Sequence, residues 1–135
     1  MARWFLLVPV ALIALALAYA VQRESRGRSS APSERRVVVP QLSPQAQEGQ
    51  RAFDQYCARC HGAHAAGSAQ GPPLVDPVYR PSHHADVAFT LAVRRGVRGH
   101  HSLFGDMPAQ PAVTNSDLAN IIRYVRELQK ANGID

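Results

Sequence analysis

The chain has 135 residues, 46% of them hydrophobic and 19% charged, with a formal net charge of +5. That length holds one ordinary domain. The positive excess lies mostly outside it: Arg3, Arg23, Arg26, Arg28, Arg35 and Arg36 are balanced only by Glu24 and Glu34, whereas residues 41–135 carry nine basic and eight acidic groups. A nucleic-acid-binding domain would gather basic and aromatic residues on its folded face, so that class is set aside.

Residues 4–21 form an uninterrupted apolar run behind Arg3, which reads as a secretory signal or a membrane anchor occupying residues 1–21. Ala18-Tyr19-Ala20 has the small-x-small form of a cleavage site. The run is near the lower limit for a span, about 17 residues, and Trp4 and Tyr19 stand near its ends where interfacial aromatics suit retention. We prefer an anchor through residues 4–21, although the basic cluster behind it is of the sign usually kept on the inner side. Residues 22–42 then read as a flexible basic linker, rich in Arg, Ser, Glu, Gly and Pro and too poor in apolar surface to repay ordering. About 20 such residues span about 25 Å, enough for a tethered domain to turn toward a neighbour. Its one apolar patch, Val37-Val38-Val39, is expected to lie on the domain as a strand-like lead-in.

Residues 43–135 form the domain, which is expected to be all-α, with three main helices and long loops. Ser43-Pro44 is a helix start, Ser as cap and Pro in the first turn. That helix runs to about residue 56, with Ala46, Gly49, Ala52 or Phe53, and Tyr56 on one face. Gly49 inside it costs about 1 kcal/mol relative to Ala, which points to the close approach of another backbone. A second helix is expected from after Ser82 to Gly96, opened by His83-His84, with Val87, Leu91, Ala88 and Ala92 inward. The third begins at Thr114 with Asp117 three residues on, a capping-box pair. Leu118, Ile121, Ile122, Val125 and Leu128 follow at helical spacing, and Asn132-Gly133 ends it. The loops over 62–81 and 97–113 are long for a domain of about 95 residues, whose core is marginal. A large, flat, apolar cofactor wrapped by them would make such a fold stable.

Cys57-Ala58-Arg59-Cys60-His61 names that cofactor, since C-x-x-C-H is the attachment run of haem c: two thioether bonds to the porphyrin and an adjoining imidazole beneath the iron. A dithiol redox pair would need a strand before it and a helix after it, whereas here helix precedes and loop follows. A zinc site would need a second pair of soft ligands, and the chain has only two cysteines.

These features resemble the class I c-type cytochromes over roughly residues 43–132. The matching residues are Gly49 and Phe53 ahead of Cys57, the run Cys57 to Gly62, Gly71-Pro72-Pro73-Leu74, Gly105-Asp106-Met107-Pro108, and Tyr124 on the last helix. The resemblance implies a cytochrome c-like fold whose first and last helices cross at Gly49 and Tyr124. It further implies that the Pro72 carbonyl holds the imidazole of His61 and that Met107 is the second axial ligand. It also places the domain on the exported, periplasmic side of a bacterial membrane, anchored or released by cleavage. Elimination leads to the same sixth ligand, because Met107 is the one thioether in the domain. His83, His84, His100 and His101 remain competitors, and His64 lies too near the attachment run.

The four histidines have two readings. They form a second copper or zinc site, or they serve as caps and loop hydrogen-bonding groups; the second is preferred, because neighbouring histidines diverge and no carboxylates complete a site. The expected function is one-electron transfer between redox partners, probed against a haem sensor or peroxidase-like protein with an open iron position and against a metal-handling domain. An electron carrier needs no catalytic residues, only ligation, exclusion of water and an exposed haem edge.

Overall fold

The structure, a computed structural model, describes residues 36–99 and 104–135 together with Leu17, Tyr19 and Gln22. Chain contacts divide it into two units, Met1–Ser33 and Glu34–Asp135. In the first, Leu17, Tyr19 and Gln22 are helical, with Leu17 and Tyr19 exposed. The remainder of the run over 4–21, and the linker from 23 to 35, lie outside the described residues. Among the described residues no helix is long and apolar enough to cross a membrane.

The second unit is built on helices. Helix α1, Pro44–Tyr56, starts where the Ser43 hydroxyl accepts the Ala46 N–H and Pro44 takes the first turn. It buries Ala46, Gly49, Ala52 and Phe53. The chain does not pass into a loop after Cys57. The amides of Cys60 and His61 bond back to the Cys57 carbonyl at 3.1 and 2.9 Å, making a short helix α2, Ala58–His61, which Gly62 ends with a φ of +73°. Two 3-10 turns, Ala63–Ala65 and Pro77–Tyr79, interrupt the first long loop.

Helix α3, Asp86–Arg95, begins later than its apolar spacing suggests. His83 and His84 do not open it; their amides bond to the Arg80 carbonyl in a preceding turn. Its inner face is wider than expected: Ala88, Leu91 and Ala92 line a cavity together with Phe89 and Val93, whereas Val87 is 61% exposed and not part of that lining. The guanidinium of Arg126 stands 4.8 Å from the Phe89 ring centroid.

Helix α4, Asn115–Ala131, carries both bonds of the Thr114/Asp117 capping box and buries Leu118, Ile121, Ile122, Val125 and Leu128 as one stripe. Gly133, with φ +73°, follows its cap Asn132. Among the described residues there is no strand, only an isolated antiparallel bridge between Val97 and Met107.

The core lies between α1 and α4. A Cβ on Gly49 would stand 1.9 Å from the Asn120 carbonyl oxygen and 2.9 Å from the Tyr124 Cβ, so only glycine lets the helices approach this closely. One turn further along α1, the Phe53 and Tyr124 rings pack at 5.5 Å between centroids. A polar tie reinforces the crossing: Glu127 accepts the Ser43 backbone N–H at 3.0 Å and the Ser43 hydroxyl at 2.7 Å. The lead-in lies on the same helix, with Val37 against the core and the Val38 N–H and C=O bonded to the Asn132 amide at 2.9 and 2.8 Å.

Two outcomes follow from this crossing. Gly49→Ala should destabilise the domain by about 3 kcal/mol, at the upper end of overpacking, because the obstacle is backbone and cannot turn aside; a lowered denaturant midpoint checks it. At Glu127, burial opposes ionisation, but the Ser43 bonds and Arg123 outweigh it and hold the carboxyl below its ordinary range. A depressed folded value means that this support is complete above the unfolded pKa and is lost as pH falls through the folded one. Glu127→Gln should therefore cost about 1 kcal/mol near neutrality, and its melting curve should converge with the parent's in acid.

Candidate functional site

The end of α1 and the turn of α2 deliver Cys57, Cys60 and His61 together. His61 is 8% exposed, and its Nδ1 donates to the Pro72 carbonyl oxygen at 2.9 Å. A proline carbonyl can only accept, so the proton sits on Nδ1 and the lone pair on Nε2. Burial holds the imidazole pKa below its ordinary value, partly opposed by the Pro72 bond. The ring is thus neutral at pH 7, the form that binds a metal.

Pro72 reaches that position because the loop folds back over α2. The Gly67 N–H donates to the His61 carbonyl at 2.7 Å, and the Ser68 hydroxyl to that of Cys60 at 2.6 Å. At Gly71 a Cβ would stand 2.8 Å from the Cys60 carbonyl oxygen. The fold-back places His64 and Ala65 in the left-handed region, at φ 52° and 58°, at a cost of roughly 1–2 kcal/mol each. Three bonds hold them: His64 Nδ1 lies 3.1 Å from the Tyr124 hydroxyl, and the Ala65 carbonyl accepts from Leu74 and Val75. Burial, then Asp54, pushes the Tyr124 pKa up to about 12, so it stays a neutral phenol.

Met107 is placed from the other side of the sequence. It exchanges two backbone bonds with Val97, both 2.9 Å, in the isolated bridge. Gly96, at φ +74°, allows this: a Cβ there would meet the Met107 carbonyl oxygen at 2.5 Å. The Asp106 carboxylate accepts the Gly99 N–H at 2.8 Å, and the Gln110 N–H donates to the Val93 carbonyl at 2.8 Å. Arg94 ties the end of the loop through the Val113 carbonyl and the Asn115 side chain, each at 2.6 Å.

Cys57, His61, Pro72 and Met107 line one cavity of about 430 Å³, walled chiefly by apolar side chains including Phe53, Leu74, Phe89 and Ile121. Its size is in the range of cofactor sites, roughly 300–1,000 Å³. Cys60 is not part of the lining; it is exposed, its sulfur 3.9 Å from Gln70 Oε1. Burial, then the neighbouring Cys60, pushes the Cys57 thiol up to about 11. A dithiol redox centre needs a depressed value, so the thiol chemistry argues against that reading.

Of the two histidine pairs, His83-His84 is the one among the described residues. His84 lines the cavity and donates from Nδ1 to the Val78 carbonyl at 2.7 Å, its ring 5.0 Å from that of Tyr79. His83 is exposed, with its ring 4.8 Å from that of His84. His100 and His101 lie outside the described residues. Among the described residues no three His, Cys, Asp or Glu side chains gather to hold a metal ion. Several residues of the site had no sequence signal: Val97, which pairs with Met107, Arg94, and Arg126, whose guanidinium packs on a wall residue.

A neutral buried imidazole with a free Nε2 lone pair, two thiols at the attachment spacing and a thioether, all at or beside one apolar cavity, fit an iron porphyrin. The class so defined is the haem-binding electron carriers. The chain belongs to the cytochrome c family: a family model described as Cytochrome c matches residues 46–129, more than half of its length. The family binds haem c covalently. No curated protein and no solved structure matches the chain.

The bridge predicts one local effect. Gly96→Ala should cost about 1–2 kcal/mol for the left-handed residue alone, and should speed hydrogen exchange at the Val97 and Met107 amides while leaving α1 and α4 protected.

Proposed function

We propose that this chain is a monohaem class I cytochrome c that carries one electron between redox proteins on the exported, periplasmic side of a bacterial membrane. The observation that supports it most is that His61, fixed in one tautomer by Pro72, and Met107, fixed by Val97, line the same apolar cavity beside Cys57. Cys57 and Cys60 would hold the haem through thioether bonds, and His61 and Met107 would ligate its iron. With only two cysteines the sequence provides for one attached group. Bound there, haem supplies a one-electron couple whose potential a Met/His ligand set raises.

The chain's own residues account for the carrier's other requirements. Pro72 orients the imidazole, the apolar walls exclude water, and two ligands held on separate segments, the end of α2 and the loop after α3, would let the electron move with little rearrangement. The apolar run over 4–21 supports export, either with retention as an anchor or with cleavage after Ala20. In the anchored form, the basic linker over 22–42 lets the domain reach membrane-associated redox partners. Its arginines suit anionic headgroups.

Met107→Ala tests the assignment. The oxidised parent should show the methionine-to-iron charge-transfer band, and its reduced form should bind carbon monoxide slowly. The variant should lose the band, bind carbon monoxide readily and titrate at a lower potential. A parent without the band that already binds carbon monoxide rapidly would make Met107 a loop residue and favour an open-iron sensor or peroxidase-like protein.

A further inference from the structure

Helix α4 carries a polar pair that core packing does not explain. Gln129 is fully buried. Its Nε2 donates to the carbonyls of Leu74 and Tyr79 at 2.8 and 3.1 Å, and its Oε1 accepts from Arg126 at 2.6 Å. Arg126 also donates to the Tyr79 carbonyl at 2.8 Å, the His84 carbonyl at 2.5 Å and the Asp86 carboxylate at 2.8 Å, with its guanidinium against Phe89. Two side chains one turn apart therefore hold the segment from Leu74 to Phe89 at five points. Four of those points, Leu74, Tyr79, His84 and Phe89, line the cavity.

The ion pair does not account for the arrangement. The Asp86 side chain is 66% exposed and that of Arg126 only 15%, and a pair so open to water on one side contributes little. The remaining partners of Arg126 are neutral oxygens, a geometry that suits a rigid planar fork and not the compact head of lysine. Of the two charges in that pair it is the cation that stands against a ring of the cavity wall, while the carboxylate is turned to solvent. A cation there disfavours the added positive charge of an oxidised haem and so favours the reduced form.

We propose that Arg126, supported by Gln129, is a positioning residue for the haem: it clamps the cavity wall between Leu74 and Phe89 and, through its charge, raises the reduction potential. This rests on the reading that His61 and Met107 bind the iron in that cavity. The test compares the holoprotein with Arg126→Lys and Arg126→Met by redox titration and by hydrogen exchange at the amides of Tyr79, His83 and His84. Both variants should exchange faster at those amides, because neither can replace the fork. Arg126→Lys should hold a potential near the parent's. Arg126→Met should lower it by about tenfold in the redox equilibrium, ~59 mV for a one-electron couple.

Parent-like exchange in both variants, or a parent-like potential in Arg126→Met, would overturn the proposal. If Arg126→Met does not fold, the exchange rates of Arg126→Lys decide it. A parent lacking the methionine band would overturn the functional reading and this proposal with it. A parent that shows the band, beside variants that change nothing, would overturn this proposal alone.

Discussion

The depth to which the first and last helices interpenetrate at Gly49 governs the rest of the domain. With a bare Cα facing the Asn120 carbonyl, α1 lies close enough to α4 for Phe53 to reach Tyr124 and for Ser43 to reach Glu127. That contact fixes the far end of α1, where Cys57 to His61 sit, relative to the face of α4 that carries Tyr124, Arg126 and Gln129. Those α4 side chains in turn hold the loop that brings Pro72 to His61. The glycine's helical cost is local, and the geometry it permits extends to the site.

Away from the crossing, side chains bonded to backbone do much of the work that regular structure does elsewhere. The His64–Tyr124 contact steadies two left-handed residues, Arg126 and Gln129 pin the segment after Leu74, and Arg94 ties the loop that carries Met107. Each bond of this kind contributes only about 1 kcal/mol net, but those of Arg126, Gln129 and Arg94 also satisfy carbonyls that the loops leave without a ladder partner. A small domain with two long loops can thereby keep the ligand-bearing residues in defined positions.

Parts of this arrangement were legible in the sequence because their signals are local. The Ser43-Pro44 start, the Thr114/Asp117 box and the Leu118 to Leu128 stripe each lie within a few turns of one another, and the structure forms them as read. The turn of α2 after Cys57 was not legible, since four residues followed by a glycine carry no periodic pattern. On α3, Ala88, Leu91 and Ala92 face the cavity as their spacing suggests, whereas Val87 is exposed and Phe89 and Val93 join the wall without having been expected there, because neighbouring positions share so broad a face. Gln129 did carry a signal: it falls four residues after Val125 on the buried stripe, and a polar residue at such a position needs partners. Those partners, Leu74 and Tyr79, lie more than forty residues away, where spacing offers no guide. The attachment run is the opposite case, with chemistry and spacing contained in five consecutive residues.

The central claim is that this chain holds one haem through Cys57 and Cys60. Its most direct test is intact-mass analysis of the purified chain and of a Cys57→Ser/Cys60→Ser variant under denaturing conditions, where a group held only by ligation is released. The account predicts that the parent retains the mass of one haem and that the variant has the mass of the bare polypeptide. A parent that loses its haem on denaturation, or a variant that keeps it, would contradict the claim.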